Sequence, residues 1–329
     1  IETNACFSRR SSARRGLAVV SVAALLAAQL LGGAVAGPRD QAKRIHDRIT
    51  GVPPNATTLA NMESLIAANR ALDAALVATE NPAFYTVTLK NFATPWTNEE
   101  QTVFAPLNDY TATVIGMVRD DVPFNTAFFV DGTNRAMFRF TLMAHMCKDL
   151  EEVQDITLPN DRIRQDVSRS PGGDSRIYLN NCVGCHTGMD PMTQAFAHYD
   201  FDETQNRLVY DASRVDPKYF NNADTFKPGY VTPDDRWDNY WRHGQNRLFG
   251  WSPQLPGSGN GAKSLGEELG NSDAFAHCQV EKVFKAVCFR APRNAADRGK
   301  VDQITAGFRA NGYKLKQVWA ETAVHCMGD

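Results

Sequence analysis

The chain has 329 residues, 43% of them hydrophobic and 22% charged, with a formal net charge of −2. That is ordinary globular composition, and it excludes collagen-like, low-complexity and repeat architectures. A mildly acidic chain carries no basic footprint for nucleic acid, so that class of partner is excluded too.

The N-terminal stretch reads as a secretory leader. Arg9, Arg10, Arg14 and Arg15 form a basic region, Leu17 to Leu31 is almost wholly apolar, and Ala34-Val35-Ala36 offers small residues for cleavage after Ala36. An uncleaved anchor over Leu17 to Ala36 is the alternative, since that run approaches the roughly 20 residues that span a bilayer. The paired arginines also fit twin-Arg export, but that route carries folded proteins, and general secretion suits the chemistry below better. The expectation is an exported chain, periplasmic or secreted, membrane-anchored only if the leader stays.

After the leader, the patterning predicts a short helix over 40–49, stopped by Gly51 and Pro53-Pro54, and a longer one over 57–79. Thr97 with Glu100 has the form of a capping box, and 107–118 is another helix candidate. A turn-rich connection over 119–132 leads to a strongly apolar helix over 133–150, which the acidic Glu151 and Glu152 suggest runs on towards Val153. Residues 159–174 read as a polar loop and 175–181 as a short helix. Residues 200–262 show no sustained period and read as a long irregular segment, followed by helices over 263–269, 272–290, 297–310 and 313–326. The fold class expected is mainly α, with a helical cytochrome c-like region over 133–262 between an N-terminal helical region (37–132) and a C-terminal one (263–329).

Seven cysteines are present. Cys6 leaves with the leader and Cys182 and Cys185 belong to a motif, which leaves Cys147, Cys278, Cys288 and Cys326 for two disulfides in an oxidising compartment. Ten residues of helix separate Cys278 from Cys288 by about 15 Å, beyond the roughly 7 Å a disulfide spans. One of the two should therefore meet Cys326 and the other Cys147.

Cys182-Val183-Gly184-Cys185-His186 is the C-x-x-C-H pattern of covalent haem attachment. Two thiols three positions apart on a helical turn reach the two vinyl groups at one haem edge, and His186 offers its imidazole to the iron. Gly184 is expected to leave room for the macrocycle. A thioredoxin-like redox pair would need a βαβ setting, and a zinc site would need a second ligand pair; neither is visible. One motif implies one haem c. The sixth ligand stays open: Met143, His145, Met146 and Met327 are the candidates carried forward, with His198, His243, His277 and His325 behind them. Met189 and Met192 follow His186 too closely to round the haem edge.

Arg164, Arg169 and Arg176 could pair with propionates. Trp237, Tyr240, Trp241, Phe249 and Trp251 could line a pocket, although an ordinary core is the better reading. Asp200 and Asp202 open something like a calcium loop, but Gln205 stands where that loop needs glycine.

The run RIHDRITGVPP (44–54), the segment CVGCHTGMDPMTQAFAHYDF (182–201) and the C-terminal CQVEKVFKAVCFRAP and FRANGYKLKQVWAE stretches resemble the planctomycete-type cytochrome c family. The resemblance covers about half of the chain after the leader. It implies an exported protein with covalent haem and carries over only Cys182, Cys185 and His186. Its usual middle region is shortened here around 118–133. The function expected is a monohaem c-type cytochrome passing electrons to a redox partner protein of unknown identity. The alternatives are a haem enzyme or redox subunit with an open iron position, and a haem-free, disulfide-stapled binding protein.

Overall fold

The structure, a computed structural model, describes residues 36–98, 100–126, 134–163, 176–202, 204–205, 207–215 and 230–328. The leader, Arg164 and Arg169 lie outside these residues.

The described chain is mainly helical, as the patterning predicts, with only short strands. Helix α1 (Pro38–Thr50) ends at Gly51, whose φ of 72° puts it in the left-handed region and lets its N–H reach the Asp47 carbonyl. The helix expected over 57–79 is two helices, α2 (Ala56–Ala67) and α3 (Ala71–Thr79). Asn69, left-handed with φ 59°, separates them. The capping box expected at Thr97 does not form. Thr97 ends a 3-10 turn (Thr94–Thr97), and the next helix, α5 (Asp109–Arg119) after the short α4 (Lys90–Ala93), is capped by Asn108, whose side chain accepts from Thr111 N–H.

The apolar helix expected over 133–150 is also broken, for a physical reason. Helix α6 (Asn134–Thr141) widens into a π-turn (Leu142–Met146) and stops at Cys147, left-handed with φ 53°. The wide turn loosens its backbone pairing, and side chains from a later helix meet its carbonyls. Lys282 Nζ donates to Ala144 O at 2.6 Å and Gln279 Nε2 to His145 O at 3.0 Å. The acidic residues beyond do not extend that helix; Asp149 and Glu152 cap a new 3-10 turn (Leu150–Glu152), where negative charge suits the N-terminus.

Helix α7 (Arg176–Asn181) leads into α8 (Val183–Thr193). Strands β1 (Tyr199–Asp202) and β2 (Arg207–Tyr210) pair antiparallel, as do β3 (Arg236–Asp238) and β4 (Ser258–Asn260). The segment read as irregular thus holds two small ladders. Four helices close the chain: α9 (Gly261–Gly270), α10 (Asp273–Cys288), α11 (Ala295–Ala310) and α12 (Leu315–His325).

A contiguous buried cluster runs from Ala42 and Ile45 on α1 through Phe138, Met189 and Trp241 to Phe284 and Trp319. Helices α1, α2 and α3 pack with one another and α1 and α3 with α12, α10 packs with α11, α12 and the π-turn, and α8 packs with α6 and β3. Two disulfides tie these layers, Cys147–Cys278 and Cys288–Cys326. Cys278 and Cys288 take separate partners, as their spacing on one helix requires. No helix among the described residues is long and apolar enough to cross a membrane.

Candidate haem-attachment site

Cys182 stands at the N-terminal boundary of α8, and its N–H donates to Tyr178 O at 2.9 Å, joining α7 to α8. The His186 N–H donates to Cys182 O at 3.1 Å, so the five motif residues form one helical turn. Both thiols are free and partly exposed, whereas the other four described cysteines are bonded in pairs. Cys185 Sγ lies 3.5 Å from Leu150 O. Burial, with help from Glu151, pushes the Cys185 thiol up, which opposes the reactive thiolate of a thioredoxin-like pair.

His186 is positioned by its own helix. Its Nδ1 lies 2.9 Å from Oδ1 of Asp190, one turn further on, and the Asp190 side chain is fully buried. A carboxylate can only accept, so Nδ1 carries the proton. In the neutral ring this makes Nε2 the lone-pair nitrogen, and it has no partner among the described residues. This is the tautomer that a metal-ligating histidine needs. Two free thiols one turn apart and an adjacent imidazole with its distal nitrogen bare match, in donor chemistry, what covalent haem attachment calls for.

The helix is held from behind. Asp155 N–H donates to Gly184 O at 2.8 Å, and Thr187 Oγ1 donates to Asp155 O at 2.8 Å. Asp155 Oδ2 in turn accepts from Gln245 N–H at 3.1 Å. The room expected above Gly184 for a macrocycle is used otherwise: a Cβ there would sit 3.2 Å from Gln154 Cβ and 3.3 Å from Ile156 Cγ2. Ile156 is nonetheless 75% exposed, and Ile177 and Leu179, on the helix entering the motif, are also exposed. Apolar side chains are therefore exposed on the segments that flank the motif.

The aromatic residues of the segment after β2 form core. Trp237 and Trp241 are buried, the Trp241 and Phe249 ring centroids lie 6.0 Å apart, and Trp251 Nε1 donates to Trp241 O at 2.9 Å. Trp241 sits directly under α8, against Gly188.

The sixth-ligand candidates have other engagements. His145 Nε2 lies 2.6 Å from the Tyr110 hydroxyl, and its ring packs between Trp96 and Phe275. Met146 Sδ accepts from Ser272 Oγ at 3.6 Å. Met143 lines a cleft of about 220 Å³ with Trp96, Phe140 and Lys282. The Met327 carbonyl accepts from Arg44 at 3.0 Å, beside α1. Met189 and Met192 are buried in the core, and His325 pairs with Asp297 at 3.0 Å. Arg176 is exposed. Asp202 accepts from the Thr204 and Gln205 N–H groups, so it closes a turn, and no group of three or more metal-ligating side chains occurs among the described residues.

Three features escaped the sequence reading: Asp190, the Gly188–Trp241 contact, and Arg162. The i,i+4 spacing of His186 and Asp190 on a helix is a signal that could have found the first. Arg162 is buried, donates to Asp238 and to Arg236 O, and stacks 4.4 Å from the Tyr230 ring centroid. It braces β3 behind α8 from 74 residues away in sequence, where no local pattern could show it.

No family model, curated protein or solved structure matches the chain.

Proposed function

We propose that this chain is an exported monohaem c-type cytochrome with haem c on Cys182 and Cys185, His186 as an axial ligand, and electron transfer to a redox partner protein as its role. The observation that carries the reading is the pairing pattern at the thiols. Cys182 and Cys185 stay free beside an imidazole whose Nε2 is bare, while the other described cysteines are consumed in disulfides. The two disulfides support an oxidising, exported setting, where haem c is attached. The similarity of residues 182–201 to the planctomycete-type cytochrome c segment, including Asp190-Pro191 and the aromatic-Asp step Tyr199-Asp200, agrees with it.

When bound, haem c supplies a one-electron couple at its iron. The chain's own residues do the rest. Cys182 and Cys185 hold the macrocycle edge, His186 offers Nε2, Asp190 holds the proton at Nδ1, and Trp241 and the Asp155 loop fix the helix that carries them.

A second reading, a haem enzyme or redox subunit with an open iron position, is favoured by one specific observation. The ligating atoms of His145 and Met146 are engaged at Tyr110 and Ser272, and Met327 is held beside α1 through its backbone carbonyl at Arg44. The absorption spectrum separates the two, since six-coordinate low-spin iron indicates transfer and five-coordinate high-spin iron an open position.

The test is a haem stain of the denatured protein, produced by export in a host with haem-attachment machinery, beside the C182A/C185A double variant. A stain on the wild-type band that vanishes in the variant is the expected result. A colourless exported wild type overturns the reading and leaves a disulfide-stapled binding protein.

A further inference from the structure

The contact that most distinguishes this site is the buried carboxylate behind the histidine. Asp190 side-chain exposure is nil, and its Oδ1 lies 2.9 Å from His186 Nδ1. Its backbone is fixed as well. Gln194 Nε2 donates to Asp190 O at 3.0 Å, Thr193 Oγ1 donates to the same carbonyl at 3.1 Å, and Thr232 Oγ1 holds the far end of Gln194. Gln194 and Thr232 are fully buried. The carboxylate is therefore locked onto the imidazole and does not sample it from a solvated side chain.

Resting on the proposed haem reading, we infer that Asp190 is a positioning residue that sets the reduction potential of the site through His186. A carboxylate accepting from Nδ1–H pulls the proton towards itself and makes Nε2 a stronger electron donor. A stronger axial donor stabilises the ferric over the ferrous iron and lowers the potential. Burial sharpens the effect, because little water screens the charge. The same contact fixes the ring's rotation about the helix, so removing it also loosens the axial bond. An i,i+4 pair serving only the helix would show neither consequence.

The experiment compares haem-loaded wild type with D190N, D190A and D190E by spectroelectrochemical titration, with the haem stain as the loading control. Asn keeps an acceptor oxygen in place and removes the charge, so D190N isolates the electrostatic part. The expected result is a ferrous-to-ferric ratio at least tenfold higher in D190N at a fixed ambient potential, which is about 59 mV for a one-electron couple. D190E, which keeps the carboxylate, shows a smaller shift than D190N, and D190A shows a shift at least as large as D190N. Equal potentials in haem-loaded wild type and D190N overturn this inference alone. A colourless wild type overturns it together with the reading it rests on.

Discussion

Gly188 lies against the indole edge of Trp241 so closely that a Cβ at this position would come 2.6 Å from Cδ1 and 2.7 Å from Cε2, and closer still to Nε1. Trp241 is fully buried, and its Nε1 has no partner among the described residues. The indole is thus a rigid floor for the turn that carries His186. The glycine is required for close approach and not for an unusual φ.

G188A should therefore overpack the site and cost about 2–3 kcal/mol, the upper part of the range for extra methyl groups in cores. Chemical denaturation of G188A beside wild type reads this directly. In the W241F background the same substitution should cost at least 1 kcal/mol less, because the smaller ring yields space. Equal costs in both backgrounds would mean that the helix shifts away freely and that the floor is not rigid.

The two disulfides should differ in worth. Cys147–Cys278 closes 131 residues and Cys288–Cys326 closes 38. Chain-entropy arithmetic assigns about 5 kcal/mol to the longer loop and about 4 kcal/mol to the shorter. Guanidinium unfolding of C147A/C278A and C288A/C326A should rank them in that order. A reversed ranking would show that local packing, not loop closure, sets their contributions.

His145 makes a distinct prediction for acid stability. Burial, with a smaller contribution from Lys282, pushes it down to about 3 from an ordinary value of 6.5. Between those values the unfolded chain holds a proton on this histidine that the folded chain refuses. Stability should then fall as pH drops from 6.5 towards 3, by about 1.4 kcal/mol for each pH unit well inside the window. Carboxylates titrate in the same range, so the comparison that isolates His145 is with H145Q. The urea midpoint of wild type should lose more than that of H145Q between pH 7 and pH 4. Parallel losses would remove His145 as the cause.

Lys282 is the companion case, at the other end of the scale. It lies over the Trp96 ring, 3.3 Å from the centroid, and no carboxylate pairs with it among the described residues. Burial pushes its ammonium well below the usual value, 10.5. The unfolded chain keeps the proton longer, so folding stability should rise with pH until the unfolded lysine itself titrates. Unfolding curves at pH 7 and pH 9.5 should show a gain in wild type that is smaller in K282M; an equal gain in both would assign it elsewhere.

What could be read from the sequence divides along the range of the interactions involved. The helices α10, α11 and α12 follow from apolar periodicity and end signals, and helical rise excludes a Cys278–Cys288 bond while leaving two pairings open. Those are local quantities. The breaks at Asn69 and Cys147 were missed because the apolar period runs straight through both, and a non-glycine residue in left-handed backbone leaves no mark in the pattern. At the candidate site, Cys182, Cys185 and His186 are legible because they form a motif of fixed spacing on one helical turn. Trp241, Asp155 and Arg162 are not, since each reaches α8 or its supports from a distant stretch of chain.

The Cys147–Cys278 bond has a practical consequence for anyone handling the protein. The whole C-x-x-C-H turn lies inside the covalent ring that this bond closes. A protease that nicks the chain once anywhere between those two cysteines produces pieces that stay joined, one band without reductant and two with it. Nor can a single cut there free the peptide bearing His186 unless the sulfur bridge is also opened.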